Sequence, residues 1–479
     1  MADKNAVIAG VTSRKILALV FLAALAAFLV PFSYTAYPTS DDAWQHIQKA
    51  ECYLDNGGFP FKALYSLDVE DCISYPNYPP LFDVLLGLGK YLGGMMLFAR
   101  IMPSLLAALV VFAFYPLARK FLDEKHALLA TVLAVFAPEF MVLGSANAQP
   151  QILGILLSLL CLNFLLNIER AGSNKGWRGM RAREKRAYAL NLVLAAVCSA
   201  LLIYSYTTYV FFAYLIFLVS ILLKRKFGMV KDIAILTLAS IILGLPVLLK
   251  FLLFPPPNAG MGIERGFFLD SYWLLMPLRI GLASLVLAFF SRPEKEHRRM
   301  LYPFLLVLAF VSFFQFIAPF PPTRNLAFLV FPLAILAADG WQGFLEWLKL
   351  RDYSRLLTAV LVACVILSGI IAVYCFVQLE SVTDSEYRAK LWTMEHEGKI
   401  ATYNWGPFNY RAERQFNGNI FGDFPAKLNA EDIDLVVLTS KTPEIYGMSN
   451  EEAAMKLDDH CSRAFREKNV YIFNCSAPI

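Results

Sequence analysis

The sequence predicts an α-helical, polytopic membrane protein with about eleven spanning helices and a small α/β domain at its C-terminal end. Three observations predict it. Of the 479 residues, 58% are hydrophobic and only 17% charged, whereas soluble chains are about half apolar and about a quarter charged. The mean hydropathy is +0.53. The apolar residues fall in long uncharged runs of the roughly 20 residues that a helix needs to cross hydrocarbon, where lipid cannot satisfy backbone groups. The connections between those runs alternate between basic and nearly uncharged.

The first run, 16–32, follows Arg14 and Lys15. It has no small-residue cleavage site and many runs follow it, so it reads as an uncleaved first helix rather than a signal peptide. The others are 95–117, 127–144, 150–167, 187–205, 207–223, 232–253, 273–290, 301–317, 324–341 and 355–376. With the N-terminus cytoplasmic, the inside connections hold Lys4, Arg14, Lys15, Arg119, Lys120 and Lys125. They also hold the basic stretch Arg170 to Arg186, the KRK of 224–226, Arg292, Lys295, Arg298, Arg299, Lys349 and Arg351. The short outside connections hold chiefly Arg265 and Arg324. This is the positive-inside pattern, and a miscount by one helix would scramble it. The N-terminus is expected in the cytoplasm and the C-terminus outside.

Two outside segments are long, 33–94 and the acidic tail 377–479. In the tail, strand-like runs at Ile400–Trp405, Asp434–Thr439 and Val470–Cys475 alternate with helix-like stretches at Asn409–Gln415 and Glu451–Arg466, which predicts a small α/β domain. The chain thus divides into a transmembrane domain, 1–376, and an extracytoplasmic domain, 377–479. Cys161, Cys198, Cys364 and Cys375 lie in or at the ends of spans, where a small buried thiol is the simple reading. Cys52 and Cys72 share the first outside loop, and Cys461 and Cys475 share the tail. Even numbers in each outside segment are what disulfides in an oxidising compartment produce.

The first outside loop opens with TSDDAWQHIQKAECYLDNGGFP. Ser40 fits an N-cap, with Asp41 and Asp42 in the first turn of an amphipathic helix. Two readings of that acidic pair stand. Carboxylates at a helix N-terminus complement its dipole; carboxylates at the outer membrane face also serve as a general base or as ligands to a metal ion. His46 lies four residues from Asp42, on the same helical face, as a surface residue or a further site group. The loop closes with SYPNYPPLFDVLLGLGKYLGG, where Pro79 and Pro80 precede an apolar helix too short to span and suited to the bilayer surface. Arg100, Lys250, Arg279 and Arg324 lie near the outer face, and Glu139 is a second intramembrane charge. Cations there either snorkel or have partners.

An acidic pair just after the first helix, an amphipathic helix, then YPPLFDVL and RIMPSLLAALVVFAFYPLARKF, resemble the GT-C membrane glycosyltransferases. Both the protein O-mannosyltransferase-like branch and the archaeal oligosaccharyltransferase catalytic subunits carry related patterns. The likeness returns in PPTRNLAFLVFPLAILAADGW, similar to the span where these enzymes place a phosphate-binding arginine, here Arg324. The resemblance implies a glycosyltransferase with Asp41 or Asp42 as catalytic base. Arg324, with Arg279, Lys250 and Arg100, would bind the donor phosphate. It implies a polyprenyl-phosphate-linked sugar as donor and a lipid, glycan or protein as acceptor, with membrane lipids around it and no nucleic acid. A divalent cation, Mg or Mn, on Asp41 and Asp42 is the one cofactor it leaves open.

There are departures. The outside turn after the third span, where oligosaccharyltransferases carry a second acidic motif, reads GSANAQPQILG, with Asn147, Gln149 and Gln151 and no carboxylate. Their WWDYG signature has only YNWGPFNYRAERQF, around Trp405, in its place. An oligosaccharyltransferase-like enzyme, a non-catalytic relative and a transporter are the other readings. A transporter would show related halves, and the sequence has no internal repeat. Cysteine-accessibility labelling tests the orientation: an impermeant reagent should reach a probe at Asn417 from outside and fail at Asn174. The reverse pattern would invert the topology.

Overall fold

The structure is a computed structural model. It describes residues 2–39, 41–55, 79–145, 149–172, 180–205, 213–214, 218, 230–253, 277–293, 301, 322–380, 382–402, 408, 415–416, 420–422 and 424–476. The helices are α1 (Ala2–Phe28), α2 (Asp41–Asp55), α3 (Leu81–Leu88), α4 (Met95–Ala118), α5 (Glu124–Val135), α6 (Pro138–Gly144), α7 (Pro150–Gly172), α8 (Ala182–Ser205) and α9 (Val230–Leu253). After them come α10 (Leu282–Ala288), α11 (Pro322–Trp347), α12 (Ser354–Glu380), α13 (Asp384–Met394), α14 (Ala426–Ala430), α15 (Thr442–Tyr446) and α16 (Asn450–Asp458).

Among the described residues seven helices are long and apolar enough to cross a membrane: α1, α4, α7, α8, α9, α11 and α12. The consecutive pair α5 and α6 makes an eighth if taken as one span, bent by 63°. The sequence reading takes 127–144 as one continuous helix, and Pro138 is the reason it is not. Proline has no N–H for the ladder and its ring collides with the carbonyl four residues back, so it starts a helix well and continues one badly. It stands at the first position of α6, after an extended Ala137. Of the remaining expected spans, 273–290 is described only from residue 277, while 207–223 and 301–317 lie almost entirely outside the described residues.

The burial of the spans orders them. About four-fifths of α7 and α11 is enclosed (83% and 78% of their most apolar windows), against 11% of α12. So α7 and α11 form the middle of the bundle and α12 lies at its surface. Phe28 of α1, Phe114 of α4, Phe140 of α6 and Phe331 of α11 meet at the centre. Their ring centroids are 5.0 Å apart for Phe114–Phe331, 5.4 Å for Phe140–Phe331 and 5.9 Å for Phe28–Phe140. Edge-on ring contacts at these distances add to the area they bury. Between hydrocarbon-facing helices the hydrophobic effect is weak, and close packing over small residues carries the association. Gly144 lets the end of α6 press against Ala107 of α4 and Phe28, and Gly340 of α11 lies against the Leu287 carbonyl of α10.

The tail forms a five-stranded mixed sheet in the order β2-β1-β3-β5-β4. Its strands are β1 (Ile400–Ala401), β2 (Gln415–Phe416), β3 (Leu435–Leu438), β4 (Ser462–Glu467) and β5 (Val470–Asn474). β1 pairs in parallel with β2 and β3, and β5 runs antiparallel between β3 and β4. β1, β3 and β5 answer to the strand-like runs of the sequence. The expected helix at Glu451–Arg466 ends instead at Asp458, and its second half is β4. The charged, helix-favouring composition of SRAFRE yields to pairing with β5, because strand formation follows the neighbour more than intrinsic preference. Capping boxes start α13 (Thr383 with Glu386) and α16 (Ser449 with Glu452), each satisfying two orphan N–H groups. A disulfide joins Cys461 to Cys475 across the open end of the β4–β5 hairpin. Cys52 is also disulfide-bonded. The stretch at Asn409–Gln415 lies outside the described residues except Gln415.

A Cβ placed on Gly340 would strike the Leu287 carbonyl oxygen, which is backbone and cannot rotate away. Gly340→Ala is expected to force α10 and α11 apart at about 1–3 kcal/mol, read as a lowered thermal midpoint of the detergent-purified protein. An unchanged midpoint would show that the helices have room to separate.

Candidate active site

The candidate site begins where α1 ends. Pro31 stops the α-helix in a short 3-10 turn, Val30–Ser33, and the last carbonyls of α1 are left without helical partners. Two residues one turn apart on α4 meet the carbonyl of Phe28 and two carbonyls of the segment that follows it. The Ser104 hydroxyl donates to the Phe28 carbonyl at 3.1 Å. The Arg100 Nη2 group donates to the carbonyls of Phe32 (3.5 Å) and Thr35. The same guanidinium lies 3.8 Å above the Phe32 ring. The Thr35 hydroxyl then donates to the Tyr37 carbonyl at 3.0 Å and accepts from the Tyr37 amide at 3.2 Å. This bonded segment leads into α2, whose first two residues are Asp41 and Asp42. Their side chains, like Ser40, lie outside what the structure describes.

α2 is enclosed along most of its surface: Ala43, Trp44, His46, Ile47, Lys49 and Ala50 are all buried. His46 is neither a surface residue nor a lone one. Its Nδ1 is 2.6 Å from Oδ1 of Asp83, which sits in the first turn of α3 and is fully buried. On another side α2 meets the tail. Tyr37 stacks on Tyr387 of α13 with centroids 4.4 Å apart. Lys390, also on α13, holds its ammonium 4.6 Å from the Trp44 ring. Burial pushes the Lys390 ammonium below the ordinary lysine range, and the Glu51 carboxylate works against that shift. Burial and a hydrogen bond to Asp384 raise the Tyr37 phenol.

Glu139 and Arg279 come together. The guanidinium meets the carboxylate at both oxygens, 2.6 Å from Nε to Oε2 and 2.9 Å from Nη2 to Oε1. This bidentate pair ties the first turn of α6, just past the bend, to the residues before Gly281. Arg279 is therefore held by a protein carboxylate, and Arg100 by backbone carbonyls. Arg324 stands in the first turn of α11 and Lys250 near the last turn of α9; their side chains are outside what the structure describes. Gln149 is half-buried just before α7, while Asn147 lies outside the described residues.

Sequence reasoning passed over Asp83 and Lys390. Asp83 carries a signal, being the lone charge in the apolar run LFDVLLGL, since a carboxylate in such a run needs a partner. Lys390 carries none, because its burial exists only once α13 packs on α2. Among the described residues, no group of three or more His, Cys, Asp and Glu is placed to hold a metal ion.

Residues 77–254 match the family model of dolichyl-phosphate-mannose-protein mannosyltransferases. The fold is similar to crystal structures of ArnT from Cupriavidus metallidurans. Against the apo state the TM-score is 0.64 at 13% identity, covering 96% of this chain and 98% of that one. The chain has the GT-C fold, and the family match over residues 77–254 supports a GT-C membrane glycosyltransferase. ArnT bound to undecaprenyl phosphate matches with a TM-score of 0.62, 13% identity and the same coverage. The Archaeoglobus fulgidus oligosaccharyltransferase, in complex with Zn and sulfate, matches with a TM-score of 0.58 and 14% identity, covering 96% of this chain and 73% of that one. No curated protein sequence matches significantly. The family match runs from just before α3, through α3 and the bend at Pro138, to the end of α9. It therefore includes Asp83, Arg100 and Glu139.

The Glu139–Arg279 pair is tested by a double-mutant cycle with Glu139→Ala and Arg279→Ala. Either single change should lower the thermal midpoint, and the two should be non-additive by about 0.5–3 kcal/mol. The Glu139 side chain is only 11% exposed, which favours the upper half of that range, since a charge left buried alone is costly. Additive effects would show that the pair does not couple α6 to the 277–280 segment.

Proposed function

We propose that the protein transfers a sugar from a polyprenyl-phosphate carrier to an acceptor at the outer membrane face, with inversion at the anomeric carbon. The observation that carries this reading is the shared architecture with a GT-C protein crystallised with undecaprenyl phosphate, over nearly the full length of both chains. The mannosyltransferase match supports it. A donor with a long isoprenoid tail stays in the bilayer, which accounts for chemistry built at the outer ends of spans.

In this mechanism Asp41 or Asp42 takes the proton from the acceptor hydroxyl as its oxygen attacks the anomeric carbon. The bond from that carbon to the phosphate oxygen breaks, and negative charge collects on the departing lipid phosphate. Arg324, at the N-terminal turn of α11, stabilises that charge by paired N–H donors. It is the strongest candidate of the four cations, because Arg100 and Arg279 already serve groups of the protein; Lys250 is a further candidate. A divalent cation would fall to Asp41 and Asp42. The remaining polar groups in sequence around the α6–α7 turn are the amides of Asn147, Gln149 and Gln151, weak ligands for magnesium or manganese. That donor set fits such a cation poorly, and the displacement proposed here rests on the protein's own groups. The tail domain, 377–479, would hold or select the acceptor: a lipid, a glycan or a protein.

The test is transfer from radiolabelled polyprenyl-phosphate sugars by purified membranes. At least one of Asp41→Asn and Asp42→Asn should lose activity while remaining inserted. Arg324→Lys should lose rate and Arg324→Ala more, since one donor to developing charge is worth roughly 3 kcal/mol. Equal rates for wild type, Lys and Ala would remove Arg324 from the donor site, and full activity in both Asn variants would leave the aspartates as a helix start only.

A further inference from the structure

We propose that the buried His46–Asp83 pair is a positioning couple that sets the rotation of α2 about its own axis and so aims Asp42. This rests on the reading of the acidic pair as the catalytic base. Asp42 and His46 are four residues apart, so they share one face of α2. Whatever fixes His46 fixes the direction of Asp42 one turn earlier. The apolar contacts around α2, made by Ala43, Ile47 and Ala50, are non-directional and tolerate small rotations. A hydrogen bond of 2.6 Å between an imidazole and a carboxylate does not.

Asp83 is an unusual residue to keep for stability alone. It is fully buried, and its second oxygen, Oδ2, has no hydrogen-bond partner among the described residues. Leaving a carboxylate oxygen dry and unpaired is costly, and well-packed apolar residues often replace a buried ion pair with no loss of stability. What an apolar pair cannot supply is a fixed angle. Asp83 is itself well anchored for this task, in the first turn of α3 behind Pro79 and Pro80, with the Phe82 ring edge-on to His46 at 5.4 Å. Rolling α2 by about 20° would carry a side-chain end about 6 Å from the axis through about 2 Å. Displacements of about 1 Å at a reacting group cost up to about 100-fold in rate.

The experiment compares three variants of the full-length protein with wild type, in both transfer kinetics and α2 geometry. The double change His46→Leu with Asp83→Leu keeps volume and removes the bond. It should hold its thermal midpoint, lose about 10- to 100-fold in kcat, and leave the KM for the donor within about threefold. The single change His46→Leu, which strands Asp83, should lose at least as much kcat. His46→Asn, whose amide N–H can stand in for the Nδ1–H donor, should recover most of it. Geometry is read separately by the labelling rate of Asp42→Cys with a small thiol reagent, in a chain also carrying Cys364→Ala and Cys375→Ala. Adding the double Leu change should alter that rate several-fold. A double Leu variant with wild-type kcat, or an unchanged labelling rate, would overturn the positioning role. Full activity of Asp42→Asn would instead remove Asp42 as the base, while the labelling rate would still report whether the pair sets α2.

Discussion

A membrane helix that ends within its bundle leaves its last carbonyls out of reach of water, and the route from α1 to the acidic pair depends on how those carbonyls are met. Arg100 and Ser104, one turn apart on α4, bond the carbonyls of Phe28, Phe32 and Thr35. Arginine suits this place because its several fixed donors reach more than one acceptor at once and its flat face rests on an aromatic ring, here Phe32. The exit of the chain from α1 is thereby bound to α4, and the start of α2 inherits its position from that bond. A lysine would offer a point charge and no such template.

Two other strong polar contacts of the helical bundle fall where helices are interrupted. The bend at Pro138 opens the α5–α6 span, and the Glu139–Arg279 pair bridges the opening to the segment before α10. The short helix α3 carries Asp83 into a buried position, and His46 meets it. In each case a break in regular structure comes with a polar side chain from another element. This is the arrangement expected where backbone geometry is irregular and water is scarce. It also means that Arg100, Arg279 and Glu139 serve the protein's own architecture, which narrows the set left for a ligand.

The tail is joined to the membrane part by specific contacts as well as by its chain. Tyr387 and Lys390 of α13 pack on Tyr37 and Trp44, on either side of the acidic pair. The same helix is held to the sheet through Glu386, whose carboxylate accepts from the hydroxyl and amide of Ser440 at 2.6 and 3.2 Å. These contacts link the sheet to the chain just before and at the start of α2.

Long uncharged runs were enough to determine, from sequence alone, that this chain is a multi-pass membrane protein and where eight of its apolar segments lie, and strand-like runs near the C-terminus located a small sheet. Those features are set by the solvent: hydrocarbon demands about 20 apolar residues per crossing wherever the helix stands in the bundle. The order of motifs likewise pointed to the superfamily. Only the tertiary structure decided that Arg100 binds the backbone that follows α1, that Glu139 and Arg279 are partners, that His46 is buried against Asp83, and that Glu451–Arg466 divides into helix and strand. Each of these is a choice between partners far apart in sequence. Charge, burial and pairing at such positions follow from which surfaces meet, and no local pattern of residues encodes that.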